Sequence, residues 1–254
     1  MTDLPPHGPK AIVIHGDFPA GGPIPFSDDR HYLLYARGGL LKLEAEGRRW
    51  SLPPARAALI AAGQPVTFWL PGPVTALSVL FDTGWTTAPD DPLAVFDLSP
   101  LARALLDELR SCTEGPRDDH DLRLFETLYH TILRLARAPS PASRPTGESD
   151  LVRHALDRTE ATLAEAPTFA NLAQHLNVTE RTLARRIHAE TGMTWSANLR
   201  LMRILCAIEG LVTTRDSVTD IAFATGYTSL SAFNAAFRDL VGLTPTEYRD
   251  SLRN

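Results

Sequence analysis

The sequence predicts a two-domain α+β protein, with a β-rich first half that ends in two helices and an all-α second half of about seven helices. Three observations support this. Short apolar stretches alternate with Gly/Pro turns over the first 80 or so residues, a helical period begins near Ser99, and a proline-rich stretch separates the two halves.

The first half has the pattern of a small barrel or sandwich. Gly38-Gly39 and Pro71-Gly72-Pro73 are two of the turns that separate its apolar stretches. The candidate strands are 11–15, 32–35, 40–43, 57–61, 66–70 and 75–81. Apolar and polar residues alternate clearly over 41–44 but not elsewhere, so the register of the strands stays open.

Two amphipathic helices follow these strands. Ser99-Pro100 is a helix start, and the next helix runs from about Asp119 to Arg137 with one apolar stripe. Such helices either pack on the β-structure or pair with a second copy of the chain, and the sequence leaves both possibilities open.

Residues 138–148 predict an interdomain linker, because three prolines, a glycine and small polar residues neither continue a helix nor fill a core. The predicted domains are therefore 1–137 and 149–254.

Composition limits the class of protein. Hydrophobic residues make up 44% and charged residues 22%, as in a folded protein without a membrane span, and we expect a cytoplasmic location with no cofactor. The net charge of −5 argues mildly against nucleic acid. From Asp150 onward there is no lysine and acidic residues outnumber arginines by one, so any basic surface depends on where the arginines are placed.

A first helix-turn-helix unit is predicted at about 168–190. Such a unit needs a small residue where its helices touch, which Ala173 provides, and a turn residue that tolerates positive φ four positions later, which Asn177 provides. Thr179 caps the second helix, and Leu183 and Ile187 anchor it.

The same layout recurs at about 217–241. Ala222 is the small residue, Gly226 takes the turn, Ser229 caps the second helix, and Phe233 and Phe237 anchor it. One such layout is weak evidence, because short helix pairs are common. Two of them, joined by an apolar-striped segment, strongly indicate DNA binding.

Residues 217–249, SVTDIAFATGYTSLSAFNAAFRDLVGLTPTEYR, resemble the signature of the AraC/XylS family of transcription regulators. The stretches TERTLARRI (179–187) and LRLMR (199–203) are similar to that family as well. The resemblance covers roughly residues 150–252. It implies two recognition helices that enter successive major grooves about 34 Å apart.

The motif and the resemblance together place the DNA contacts on the outer faces of the two second helices. The predicted DNA-binding residues are Arg181, Thr182, Ala184, Arg185 and His188 in the first unit and Thr228, Ser229, Leu230, Ser231 and Asn234 in the second. The second unit departs from the family, since Ala235 stands where an arginine is common. We therefore expect base contacts mainly from the first unit, whereas Arg200 and Arg203 are expected to be solvated or internally paired.

The resemblance also implies a cupin-like barrel that senses a small molecule, and residues 31–82 are similar to such a barrel. The candidate pocket residues are Tyr35, Trp50, Phe68 and Trp69, although these side chains can equally fill a solid barrel. No metal site and no catalytic residue is predicted. Val66 stands where an enzymatic cupin has a histidine, and His31 stands alone.

The predicted function is a sequence-specific, effector-controlled transcription regulator and not an enzyme. The expected partners are double-stranded promoter DNA, a small-molecule effector and a second copy in a homodimer, with RNA polymerase as a further candidate and no membrane. Two alternatives stay open: a cupin-type metalloenzyme fused to a DNA-binding module, and an effector-independent regulator controlled by a protein partner.

Overall fold

The computed structural model describes residues 9–54, 56–139 and 143–251. The chain divides into two compact units. Unit 1 takes the described residues within 1–43 and 52–140, and unit 2 takes those within 44–51 and 141–254. The two-domain α+β class is confirmed: a two-sheet β-structure with helices is followed by a helical structure.

The described residues form ten strands, most of them in unit 1. They are β1 (Ala11–Phe18), β2 (Gly21–Phe26), β3 (His31–Gly38), β4 (Leu41–Ala45), β5 (Arg48–Leu52), β6 (Arg56–Ile60), β7 (Val66–Leu70), β8 (Val74–Phe81), β9 (Leu93–Asp97) and β10 (Ser143–Pro145).

All six strands expected from the apolar stretches are confirmed, as β1, β3, β4, β6, β7 and β8. The sequence analysis missed β2, β5 and β9. Glycine and proline dominate β2, and β5 begins with two arginines, so neither has the composition typical of a strand. β9 is a short apolar run that sits immediately before a helix start.

Within unit 1, one sheet has the strand order β1-β8-β3-β6-β9, and the other brings β4, β7 and β2 together in that order. In the first sheet, Leu33 pairs with both Val79 and Leu59. Tyr32 points to the opposite face, where its hydroxyl lies 2.7 Å from Ser78 Oγ. Both faces of β3 are buried, which explains why the sequence shows no clear alternation there.

Two helices, α1 (Pro100–Glu108) and α2 (Asp119–Ala136), cover one face of this sheet. Ser99 Oγ accepts from Ala102 N at 3.2 Å and caps α1, which confirms the predicted helix start. The stripes of α1 and α2 share one apolar core with the sheet, so packing on the β-structure is confirmed. Pairing with a second copy stays a prediction.

His31 on β3 is a core residue, only 4% exposed. Its Nδ1 accepts a hydrogen bond from Ala62 N–H at 3.1 Å, and its ring stacks against Tyr129 with the centroids 6.3 Å apart. Burial disfavours the charged imidazolium and places the pKa of His31 below its ordinary value of 6.5.

We expect the full chain to lose stability at acid pH through His31. The folded-state pKa of His31 is lower than the unfolded-state value of 6.5. The contribution of neutral His31 to the free energy of unfolding is therefore fully present above pH 6.5 and is lost as the pH falls through the folded-state pKa. Urea unfolding at about pH 7 and about pH 5 measures this loss. His31→Gln should flatten the pH dependence, and the exposed His15→Gln should not. Equal slopes in wild type and His31→Gln would contradict the assignment.

In unit 2, the short strand β10 lies inside the stretch that composition assigns to a linker. β10 pairs antiparallel with β5, and Thr146 N donates to Gly47 O at 2.9 Å. Arg144 is only 3% exposed, yet its guanidinium forms ion pairs with Asp157 at 2.7 Å and Glu160 at 2.6 Å. Strand pairing and these carboxylates satisfy polar groups that the sequence alone leaves without partners. The domain boundaries themselves stay a prediction.

The helical part of unit 2 has seven α-helices among the described residues, in agreement with the predicted number. They are α3 (Asp150–Ala161), α4 (Phe169–His175), α5 (Glu180–Thr191), α6 (Trp195–Thr213), α7 (Val218–Ala224), α8 (Leu230–Val241) and α9 (Pro245–Ser251). No helix in the described part of the chain is both long and apolar enough to cross a membrane.

Candidate nucleic-acid interface

The first helix-turn-helix consists of α4, a tight turn and α5. Ala173 is 2% exposed at the contact of the two helices, and Asn177 has φ +55° in the turn, as the spacing predicted. Val178 N donates to Ala173 O at 3.1 Å, which closes the turn. Thr179 Oγ1 then accepts from Thr182 N at 3.2 Å and caps α5.

Leu183 and Ile187 are fully buried and fix which side of α5 faces solvent. Since a helix turns about 100° per residue, Arg181 and Arg185 lie roughly opposite these two anchors. Both arginines are exposed. Within the described ranges, neither guanidinium makes a hydrogen bond or an ion pair, so both are available to a ligand on the outer face of α5.

The other predicted DNA-contact residues of the first helix-turn-helix differ in exposure. Ala184 and His188 are exposed beside the two arginines. Thr182 is half-buried, and its Oγ1 lies 2.9 Å from Thr179 Oγ1 within the cap. Arg186 is exposed as well, but at 100° per residue it lies on the flank of α5 instead of the outer face.

The second helix-turn-helix, α7 and α8, repeats this construction around Gly226. Ala222 is fully buried, and Gly226 has φ +85°. A Cβ at position 226 would lie 2.4 Å from Leu163 O, so only glycine fits both the backbone conformation and the space. Tyr227 N donates to Ala222 O at 3.0 Å and closes this turn.

α8 begins at Ser229, whose Oγ accepts from Ala232 N at 3.4 Å. Phe233 and Phe237 are fully buried anchors. The predicted contact residues Thr228, Ser229, Leu230 and Ser231 are exposed, with Leu230 at 37%. Asn234 is half-buried, and its Oδ1 is buried without a hydrogen-bond donor in the part of the chain that the structure describes.

α6 joins the two helix-turn-helix units, and its residues belong to the cores of both. Met202 packs with Leu183 and Ile187 of the first unit, whereas Ile208 packs with Phe233 and Phe237 of the second. Its 19 residues correspond to about 28 Å. This length is comparable with the roughly 34 Å repeat of B-DNA, the spacing that the resemblance implies for two recognition helices in successive major grooves.

The prediction that Arg200 and Arg203 are internally paired or solvated is confirmed. Arg200 Nη2 forms an ion pair with Asp239 Oδ2 of α8 at 2.8 Å, and Arg203 lies 5.7 Å from the centre of the Tyr227 ring. These contacts connect α6 to the second helix-turn-helix.

The predicted pocket residues of the first half are divided between the two compact units. Phe68 is 8% exposed and packs near Phe26, with ring centroids 5.5 Å apart. Its neighbour Trp69 is half-buried and follows it in β7, so its side chain points to the other face. Tyr35 packs on the helix-covered core of unit 1, and Trp50 belongs to unit 2. The pocket stays a prediction.

Sequence reasoning missed a groove of about 520 Å³ in unit 1, whose wall includes Lys10, Trp85 and Leu122. Lys10 Nζ lies 5.9 Å from the centre of the Trp85 ring. No periodic pattern marks this groove, because its residues come from loops and from strand and helix ends. Among the described residues, no group of three or more His, Cys, Asp and Glu side chains is placed to hold a metal ion.

Comparison with known proteins agrees with this geometry. A helix-turn-helix domain family matches residues 172–251, which include both turns. The HTH-type transcriptional regulator NimR of Escherichia coli (strain K12) is 25% identical over 217 residues, covering 85% of this chain and 78% of NimR. The HTH-type transcriptional activator RhaS of Klebsiella pneumoniae (strain 342) is 29% identical over 132 residues, covering 52% of this chain and 48% of RhaS.

Among solved structures, the C-terminal domain of AraT, a response regulator from Geobacillus stearothermophilus, is 30% identical. The match covers 41% of this chain and 86% of that domain, with a TM-score of 0.39. The two buried turns, the two capped outer helices and the curated relatives lead to one assignment. Residues 172–251 belong to a helix-turn-helix domain family, and the chain is similar to HTH-type transcriptional regulators.

Proposed function

We propose that this regulator recognises a specific promoter sequence, with α5 reading bases and α8 holding the phosphate backbone. One observation carries the proposal: two capped helices with exposed outer faces are packed at the two ends of α6. On α5, Arg181 and Arg185 are exposed, and arginine is the side chain that most often pairs with guanine edges in the major groove.

The outer face of α8 carries no cation before Arg238, so it has no arginine to pair with guanine edges, and we assign it to phosphate contacts. Thr228 and Ser229 expose hydroxyl groups at the start of the helix, where the free N–H groups and the helix dipole favour an anion. Ser231 lies in the same first turn. Asn234 supplies an amide on the next turn, and we assign it to a base contact.

Selection from a random-sequence DNA pool with the full chain tests this proposal. We expect enrichment of a bipartite site with one well-defined half, read by α5, and one weakly defined half under α8. Recovery of no sequence preference would contradict the proposal, because phosphate contacts alone do not distinguish sequences.

We place effector control in unit 1, where Phe26, Tyr32 and Phe68 form an aromatic cluster. We further propose that the protein forms a homodimer and contacts RNA polymerase. We also propose that it is located in the cytoplasm with the promoter DNA and that it has no catalytic role. The last of these is supported by relatives that are transcriptional regulators.

Thermal unfolding in the presence of candidate metabolites measures effector binding. An effector at a hundred times its dissociation constant should stabilise the protein by about 2.7 kcal/mol. A metabolite that raises the melting temperature and also changes promoter affinity supports effector control. If no metabolite shifts the melting temperature, and promoter affinity is the same in cell extract and in buffer, effector control is wrong.

A further inference from the structure

A carboxylate at the end of α5 connects this helix to the chain that enters the helical part of unit 2. Glu190 is the second-last residue of α5 and is half-buried. Its Oε2 accepts hydrogen bonds from Glu148 N at 2.9 Å and from Ser149 N at 2.8 Å, and its Oε1 accepts from Ser149 Oγ at 2.7 Å. All three partners are donors, and an ionised carboxylate satisfies all of them at once.

The other side of this contact is itself fixed. Ser149 caps α3, and Val152 of α3 lies in the same core as Leu183 and Ile187. Gly147 has φ +78°, and a Cβ there would lie 2.6 Å from Val152 Cγ1, so the chain reaches Ser149 by one close-packed path. Glu190 therefore binds to a rigid point and not to a loop.

The electrostatics favour the charged form of Glu190. Burial opposes ionisation, but the hydrogen bonds from Ser149 and Glu148 and the positive charge of Arg186 outweigh it and hold the pKa of Glu190 below its ordinary value. The contact is therefore fully formed at neutral pH.

We propose that Glu190 is a positioning residue for operator recognition, which sets the orientation of α5 and hence the placement of Arg181 and Arg185. Thr179, Leu183 and Ile187 anchor the first two-thirds of this helix, which is about 18 Å long. Glu190 fixes its far end. Two-point hydrogen bonding between a guanidinium and a base depends on direction, so a small rotation of α5 weakens it more than it weakens a phosphate contact. The inference rests on the proposed role of α5.

Two substitutions separate geometry from charge. Glu190→Asp keeps the charge but is one methylene too short to reach all three donors, whereas Glu190→Gln keeps the reach and loses the charge. Glu180→Gln is the matched control, because it removes the same charge from the exposed start of α5. For each variant of the full chain, the ratio of dissociation constants for random and operator DNA is measured, together with thermal unfolding.

We expect Glu190→Asp to lower the ratio roughly tenfold through weaker operator binding, with binding to random DNA nearly unchanged. Glu190→Gln should keep most of the ratio, and Glu180→Gln all of it. A wild-type ratio in Glu190→Asp, or an equal loss on both DNAs, would overturn the proposal. So would a Glu190→Gln variant that loses the ratio while Glu190→Asp keeps it, because charge and not geometry would then matter.

A double substitution distinguishes this proposal from the proposed function itself. If Glu190 acts through the outer face of α5, Glu190→Asp has a much smaller effect in an Arg185→Ala background, so the two changes are not additive. Full additivity would overturn the positioning role while leaving α5 as the reader of bases. If wild type and Arg185→Ala discriminate equally, the proposed function fails instead. Amide exchange at residues 148–149 should accelerate in Glu190→Asp whichever DNA is bound.

Discussion

Replacing Gly226 by alanine is expected to destabilise unit 2 by roughly 2–4 kcal/mol and to abolish operator binding. The added Cβ meets two separate obstacles. It is forced into a backbone conformation of φ +85°, and it lies 2.4 Å from the backbone oxygen of Leu163, which cannot move aside as a flexible side chain can. Relief of this clash must shift the turn that aims α8. Urea unfolding followed by the helical circular dichroism signal measures the loss.

Gly242→Ala is the matched control for this prediction. Gly242 ends α8 with φ +82°, and a Cβ there meets no atom within 4 Å. The Gly242→Ala variant should therefore lose only the free energy needed to hold alanine in the left-handed conformation, about 1 kcal/mol. The difference in the free energy of unfolding between Gly226→Ala and Gly242→Ala measures the cost of the close approach to Leu163 O. Equal destabilisation of both variants would show that the approach to Leu163 is not a constraint.

Replacing Arg185 by alanine is expected to weaken operator binding by about 1–3 kcal/mol, a loss of roughly five- to 150-fold. The reason is that Arg185 lies opposite the buried anchors of α5 and has no internal partner among the described residues. Binding to random DNA should fall much less, because the side chain then contributes only one of several phosphate-attracting charges. Fluorescence anisotropy with labelled operator and random duplexes at one fixed salt concentration measures both affinities.

Two further variants define the specificity of this effect. Arg186→Ala removes the same charge from the flank of α5 and should weaken both DNAs to a similar, small extent. Ser231→Ala, on the first turn of α8, should weaken operator binding only slightly. Equal losses on operator and random DNA for Arg185→Ala would show that Arg185 neutralises phosphate and does not read a base.

Local chemistry explains why so much of the helical part was predictable. A turn that needs positive φ selects Asn177 or Gly226, and a helix start selects Thr179 or Ser229, so these positions are visible in the sequence before any tertiary contact is known. The strands were less visible. β2 and β10 form from glycine- and proline-containing segments because a neighbouring strand pairs with them, and no local preference signals that pairing.

In the candidate interface, too, some features were predictable from the sequence and others were not. The buried anchors and the exposed arginines follow from helical spacing, whereas partners distant in sequence do not. Glu190 and Arg200 are charged residues that look like solvated surface positions in the sequence, and only the fold brings them to Ser149 and Asp239. These two contacts could therefore not be derived from spacing.

The most direct test of the account is the geometry of the bound DNA. Hydroxyl-radical footprinting of the full chain on its selected operator should show two protected patches on one face of the duplex, about 10 base pairs apart, the spacing expected when α5 and α8 enter successive major grooves. Because α8 mainly contacts phosphates, insertion of five base pairs between the patches should leave both patches protected at the same spacing and should lower operator affinity only through loss of the base contact assigned to Asn234. A single protected patch, or two patches on opposite faces of the duplex, would contradict the claim that the two helix-turn-helix units bind one duplex side by side.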